Sequence, residues 1–185
     1  MAASRTTVVR GLATAVGIVS LVSVTGLATA APGDPGKPRF TAGSAGVGDT
    51  YFPYAGNGGY DVSHYDLAVD YTPPAPAPAP LAGQFSGVAT IDLTATADLD
   101  RFNLDLRGMS VSAMTINGKP ATGIAPPAPG AEVDGAAYWH VQDDAARRWE
   151  LTVQPRPKLK KGQRARLVVT YGGTTTRPTD IEQAP

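Results

Sequence analysis

Between Tyr60 and Tyr171 the apolar residues recur at every second position, and no stretch repeats them with the 3.6-residue period and caps of a helix. Tyr65, Leu67, Val69 and Tyr71 alternate with His64, Asp66, Ala68 and Asp70, the pattern of a half-buried strand. The longest such run places Phe85, Ala89, Ile91, Leu93, Ala95 and Ala97 on one side and Ser86, Thr90, Asp92, Thr94 and Thr96 on the other. Phe102, Leu104 and Leu106 alternate with Arg101, Asn103, Asp105 and Arg107. Val111, Met114 and Ile116 then lead into Asn117-Gly118, a hairpin signal because both residues accept the positive φ of a type I′ turn. Further strands are expected at 137–142, 149–153 and 164–171, with Gly172-Gly173 ending the last. Seven or so short strands separated by turn residues predict an all-β fold, an antiparallel sheet or sandwich.

The first thirty residues follow a different logic. Arg5 and Arg10 precede an uncharged stretch, Gly11 to Ala31, that carries Val16, Ile18, Val19, Leu21, Val22, Val24 and Leu27. Ala28-Thr29-Ala30 then supplies small residues for cleavage after Ala30, the three-part pattern of a secretory signal peptide. An uncleaved anchor is the rival, since about twenty apolar residues span a bilayer. Gly, Ser and Thr dilute the run, and Pro32, Gly33 and Pro35 break it directly afterwards, so export with cleavage is expected and stable membrane insertion is not. Residues 31–57 read as a disordered Gly/Pro-rich leader, with Tyr51-Phe52-Pro53-Tyr54 pinning its end to the domain. The folded domain is expected over 58–173, and 174–185 reads as a truncated linker toward an absent catalytic domain. Inside the domain, PPAPAPAP at 73–80 is a stiff polyproline II connection whose prolines offer no donors to a sheet.

The chain has no cysteine and two histidines, neither followed by Glu. This removes disulfides, Cys-ligated zinc, thiol nucleophiles and an H-E-x-x-H helix from its chemistry. Sixteen basic residues balance 16 acidic ones, which argues against a nucleic-acid partner. No G-x-S-x-G elbow or Gly-rich phosphate loop occurs.

Four constellations remain. His64 and Asp66 lie on the polar side of one strand, an arrangement that serves a metal or an acid/base pair but is also an ordinary polar face. Tyr138, Trp139 and His140 suit a ligand-stacking surface, against which stands packing of Trp139 on Trp149 in the core. Asp92, Asp98, Asp100 and Asp105 offer oxygens for calcium, without the spacing of an EF-hand. Arg156, Lys158, Lys160, Lys161, Arg164 and Arg166 form the densest charge run, either a contact for wall polyanions or a solvated hairpin with a Lys-guarded edge. In each case the structural reading is favoured, and no residue is assigned a catalytic, metal-binding or cofactor-binding role.

Taken in order, the strands resemble those of a known family. Gly58-Gly59-Tyr60-Asp61-Val62-Ser63-His64-Tyr65-Asp66-Leu67, Gly87-Val88-Ala89-Thr90-Ile91 and Phe102-Asn103-Leu104-Asp105-Leu106 come first. Val111 through Gly118, Leu151-Thr152-Val153, Leu159-Lys160-Lys161-Gly162 and Val168 through Gly173 follow. Their order and spacing resemble the N-terminal domain of the aminopeptidase N-like zinc metallopeptidases, the gluzincin aminopeptidases. The resemblance implies a saddle-like β domain ahead of a thermolysin-like catalytic domain, which would be this chain's partner together with a peptide substrate. It implies zinc in that later domain, held by H-E-x-x-H and a downstream Glu, with a G-x-M-E-N loop binding the substrate amine. None of these motifs occurs before Pro185, and Glu182 does not match the family's amine-binding residue of the N-domain. The Pro/Ala insert at 73–80 and an expanded 123–148 depart from the family pattern. The competing class is a stand-alone secreted β-sandwich module for envelope or polysaccharide ligands, with Tyr138, Trp139 and Trp149 as its stacking residues.

Overall fold

The computed structural model describes residues 39–51, 56–76 and 82–175. The expected signal peptide, most of the leader before Arg39, Phe52 to Tyr54 of the aromatic patch, 77–80 of the Pro/Ala segment and 176–185 lie outside the described residues. Nine strands run through the rest: β1 (Thr41–Ala42), β2 (Tyr60–Thr72), β3 (Gly83–Ala95), β4 (Leu99–Asp105), β5 (Ser110–Ile116), β6 (Lys119–Gly123), β7 (Ala137–His140), β8 (Glu150–Gln154) and β9 (Arg164–Thr175). Among the described residues no helix is long and apolar enough to cross a membrane.

The strands join in one curled, open sheet ordered β1-β4-β8-β7-β6-β5-β9-β3-β2, a half-barrel. Its spine is the antiparallel pair β3–β9, continuous in register from Gly83↔Thr175 to Thr94↔Arg164. Alternation along these strands sends Ala89, Ile91, Leu93 and Ala95 inward beside Ala165, Leu167 and Val169. β5 adds Met114 and Ile116 opposite Val169 and Leu167. The curl brings β4 and β8 over this face, and Phe102, Leu104, Leu151 and Val153 complete one core with Leu99 and Leu159. Leu99 and Leu159 are locked by reciprocal backbone bonds of 2.7 and 3.0 Å. The Tyr60 ring lies 5.2 Å from Phe102, tilted by 59°, the offset geometry that aromatic pairs prefer.

The all-β expectation holds, and Asn117 (φ 51°) and Gly118 (φ 75°) make the β5–β6 turn with Ile116↔Lys119 closing it. Two pairings are parallel, β1–β4 and β6–β7, so the sheet is mixed where an antiparallel one is expected. β6 has no alternating apolar pattern because it is largely exposed. It tolerates Pro120 because its ladder to β7 starts only at Thr122, where a donor is next needed. The leader also corrects the expectation of disorder up to residue 57. Thr41 N–H donates to Asp98 O at 2.9 Å and Gly43 N–H to Arg101 O at 2.8 Å, so the backbone of 41–43 satisfies the otherwise open edge of β4. Hydrogen bonding of main chain, which any sequence can supply, builds β1 without an apolar signal.

Phe102 is fully buried at the junction of β4, β8 and Tyr60. Phe102→Ala should cost about 3–5 kcal/mol, read from urea unfolding monitored by far-UV circular dichroism. A loss below about 1 kcal/mol would mean the two sides of the curled sheet do not share a core.

Candidate functional site

Strand lengths create a concavity. β2, β3 and β9 run on past the point where β4 ends at Asp105 and β8 begins at Glu150, so the inner face of the long strands is uncovered beyond that line. A groove of about 420 Å³ opens there. Its floor is Ala89, Ile91, Leu104, Leu151 and Val169, its walls are Tyr60, Tyr65 and Tyr171, and Asp61 and Asp105 stand at its polar side. Farther along, a Cβ on Gly87 would meet the Tyr171 ring at 2.9 Å. A glycine is therefore required for that ring to lie across β3, where it packs 5.9 Å from Phe85.

Asp105 holds the groove's rim. It accepts 3.0 Å bonds from Gly56 N–H and Asn57 Nδ2, which fastens the chain entering β2 to the end of β4. Its register partner is Glu150. Burial, and secondarily the Asp105 charge, push the Glu150 carboxyl above its ordinary range against the pull of Arg148. Glu150 Oε2 is buried without a hydrogen-bond partner among the described residues. Burial likewise raises Tyr65, with Asp105 adding to it. Tyr60 is raised chiefly by burial and donates its hydroxyl to Asn103 O at 2.7 Å. The groove thus offers apolar surface and aromatic edges. It contains no nucleophile beside a base, and both oxygens of Asp105 are spent on the rim.

The residues singled out from sequence are dispersed. His64 sits opposite Asp92 on the outer face of β2–β3, and Asp66 opposite Thr90. Asp92 takes a bidentate pair from Arg166 at 2.6 and 2.8 Å, which holds its carboxyl below the usual range. Asp98 accepts from Lys161 N–H at 2.9 Å, Asp100 lies 3.6 Å from Arg101, and Asp105 is on the rim. The four aspartates therefore do not converge. Among the described residues no three His, Cys, Asp or Glu side chains are arranged to hold a metal ion, and the two histidines lie on different strands. These residues do not fit a zinc site.

The basic run is divided in the same way. Arg156 donates to Val133 O at 3.0 Å, Lys158 lies over the Phe40 ring at 5.3 Å, and Arg166 serves Asp92, so these three are engaged within the fold.

His140 Nε2–H donates to Leu106 O at 2.7 Å. Its burial lowers the imidazole's pKa and outweighs the opposing effect of that bond, which makes it a neutral structural residue. Trp139 is buried, only 8 % exposed, but not against Trp149. It is the register partner of Thr152, and alternation along β8 puts Trp149 on the other face. Trp139 instead lines a space with Pro127, Ala128 and Pro129 of the preceding loop. Trp149 donates its Nε1–H to Asp144 at 2.6 Å, with Arg107 4.5 Å over its ring. The two indoles do not form a stacking platform. Sequence reasoning missed the groove because it depends on where strands stop, while its best signal, the alternation of Tyr65 to Tyr71, looks the same for a covered strand and an open one.

No protein-family model matches the chain, and no curated protein matches it. Solved structures do. The M1 zinc metallopeptidase of Deinococcus radiodurans, in a mutant form bound to a Tyr-Ser-Ala substrate, is 29% identical with a TM-score of 0.52 over 76% of this chain and 26% of that one. A two-domain M1 zinc metallopeptidase mutant bound to L-tryptophan gives the same identity and score over 74% and 25%. The unmutated Deinococcus enzyme gives 29% and 0.51 over 76% and 26%. The chain is similar to part of an M1 zinc metallopeptidase. It spans about a quarter of the length of these proteins.

A glutamate whose folded-state pKa is raised favours the native state when protonated, and that advantage is lost as pH rises through the raised value. Glu150→Gln should therefore stabilise the protein at pH 7, and the gain should vanish once the pH falls below the ordinary value of 4.5. Urea midpoints of the two proteins at pH 7 and pH 4 measure this. Equal differences at both pH values would show that the carboxylate is not penalised by folding.

Proposed function

We infer that this chain is the non-catalytic N-terminal β domain of an exported zinc aminopeptidase of the M1 type. The observation that carries the reading is the match at 29% identity to M1 zinc metallopeptidases, which takes in three quarters of the chain and only a quarter of theirs. The uncovered inner face of β2, β3 and β9 supports it, because a domain that leaves Tyr65, Ile91, Val169 and Tyr171 around an open groove has apolar surface to give to a neighbouring domain. In this reading the β domain covers one side of the catalytic domain and helps to enclose the cavity where peptides lose their N-terminal residues. Zinc and the residues that activate water belong to the catalytic domain, since the described residues assemble neither. Export rests on Arg5, Arg10, the apolar run and Ala28-Thr29-Ala30. The buried Trp139 and the Arg107-capped Trp149 count against a polysaccharide-stacking module.

The test is the reading frame of the native locus beyond codon 185, followed by expression of its product. The expected frame encodes G-x-M-E-N and H-E-x-x-H, and its product hydrolyses an aminoacyl reporter in a chelator-sensitive way while the 185-residue chain does not. A stop directly after Pro185, or reporter cleavage by the short chain itself, would overturn the assignment.

A further inference from the structure

Among the described residues β2 is the last strand of the sheet and is paired on one side only. It is also the strand whose apolar residues are least covered: Tyr65, Leu67, Val69 and Tyr71 are 50 to 58 % exposed. A long edge with exposed apolar side chains is a template for another strand. Its regular part is bounded on both sides, by the bulge between Val62 and His64 and by Pro73-Pro74, which lack donors.

We propose that the β2 edge pairs antiparallel with β2 of a second copy of this chain, with the two-fold axis at Leu67. A two-fold perpendicular to the sheet places one residue opposite its own copy, and the choice that opposes apolar residues on one face and also His64 to a carboxylate on the other is Leu67. Centring on Leu67 puts Leu67 against Leu67, Tyr65 against Val69 and Ala68 against Asp66. On the outer face it puts His64 against Asp70, twice by symmetry. Centring on Asp66 opposes that carboxylate to itself. Centring on Ala68 opposes Asp66 to Asp70. Centring on Tyr65 sets Leu67 against Ser63 and Val69 against Asp61, across the bulge. Like charges directly opposite destabilise a pair, while apolar and opposite-charge pairs stabilise it. Over the regular stretch from His64 to Asp70 the pairing adds roughly six to eight backbone hydrogen bonds. The inference concerns the strand's edge, and it does not depend on what covers the groove.

The absence of cysteine from the natural sequence makes the register directly testable in the full chain. Leu67→Cys places the two thiols at the axis, where directly opposite Cβ atoms lie about 4.5–5.5 Å apart, close to disulfide reach. Val69→Cys places them on opposite sides of the axis, about 13 Å apart at 3.3 Å per residue. The expected result is a covalent dimer from Leu67→Cys under mild oxidation and none from Val69→Cys. In sedimentation equilibrium the unmodified chain should self-associate, and Leu67→Lys should weaken this by about tenfold or more by opposing two cations. Leu67 is exposed, so that variant should keep its fold. Asp70→Arg should weaken association, and adding His64→Asp should restore it. A monomer at all concentrations, or equal cross-linking at both positions, would overturn the proposal. Concentration-independent amide protection of the β2 edge would also overturn it, because it would show the edge occupied by another part of the same chain.

Discussion

The register of β3 against β9 governs the rest of the molecule. Because side chains alternate with period two, a slip by one residue would turn Ile91, Leu93, Leu167 and Val169 outward and their polar neighbours inward. The register is held from both faces. Inside, Ile91↔Leu167 and Ala89↔Val169 pack in the core. Outside, the directly opposed Asp92 and Arg166 form the one bidentate ion pair found on this sheet face among the described residues. An exposed pair of this kind adds little to stability, but it can form only in the native register. β2 and β5 are then placed on the two free edges of this spine, and the curl toward β4 and β8 follows from the need to cover its inner face.

That covering is incomplete, and the reason is length. β8 runs only from Glu150 to Gln154 and β4 ends at Asp105, whereas β2 and β3 have 13 residues each. The half-barrel is closed at one end by Phe102, Leu99 and Leu159 and open at the other, where Tyr60, Tyr65 and Tyr171 frame the groove. A surface of this kind supplies area and shape. Burial lowers the His140 pKa against the opposing pull of Leu106 O, which takes up its Nε2–H, and Asp105 on the groove's rim is bonded to Gly56 and Asn57. The apolar lining of the groove and the chain's similarity to about a quarter of an M1 zinc metallopeptidase are the two observations behind the proposal of a domain that shapes a neighbour's active site.

Much of the fold was legible from alternation and turn chemistry. The runs at 85–97, 102–106 and 164–171 became β3, β4 and β9 because one face of each is buried, so that the pattern and the packing coincide. Asn117-Gly118 was legible because a type I′ turn needs two positive φ angles in sequence. What alternation cannot encode is a strand with no buried face. β1 and β6 exist through backbone bonds to β4, β5 and β7, and their side chains carry no signature of this. The parallel pairings were illegible for the same reason. Trp139 was readable as buried but not in its partner, because the loop carrying Pro127 to Pro129 covers it from a direction that only the three-dimensional path of 124–136 sets.

β2 shows how sequence can specify what an edge must not do. A 13-residue edge bearing tyrosines, leucine and valine invites open-ended pairing, yet its outer face carries Asp61, Asp66 and Asp70. These residues place like charges opposite one another in some registers, and Leu67-centred pairing is the one that sets apolar against apolar and His64 against Asp70. The other end of the sheet is β1, two residues long, too short to template a further strand. A two-fold pairing through β2 consumes the one extended free edge found on each copy among the described residues, so growth stops at two. The acidic residues then serve specificity more than solubility: they leave a sticky edge a single closed partner, another edge of the same sequence.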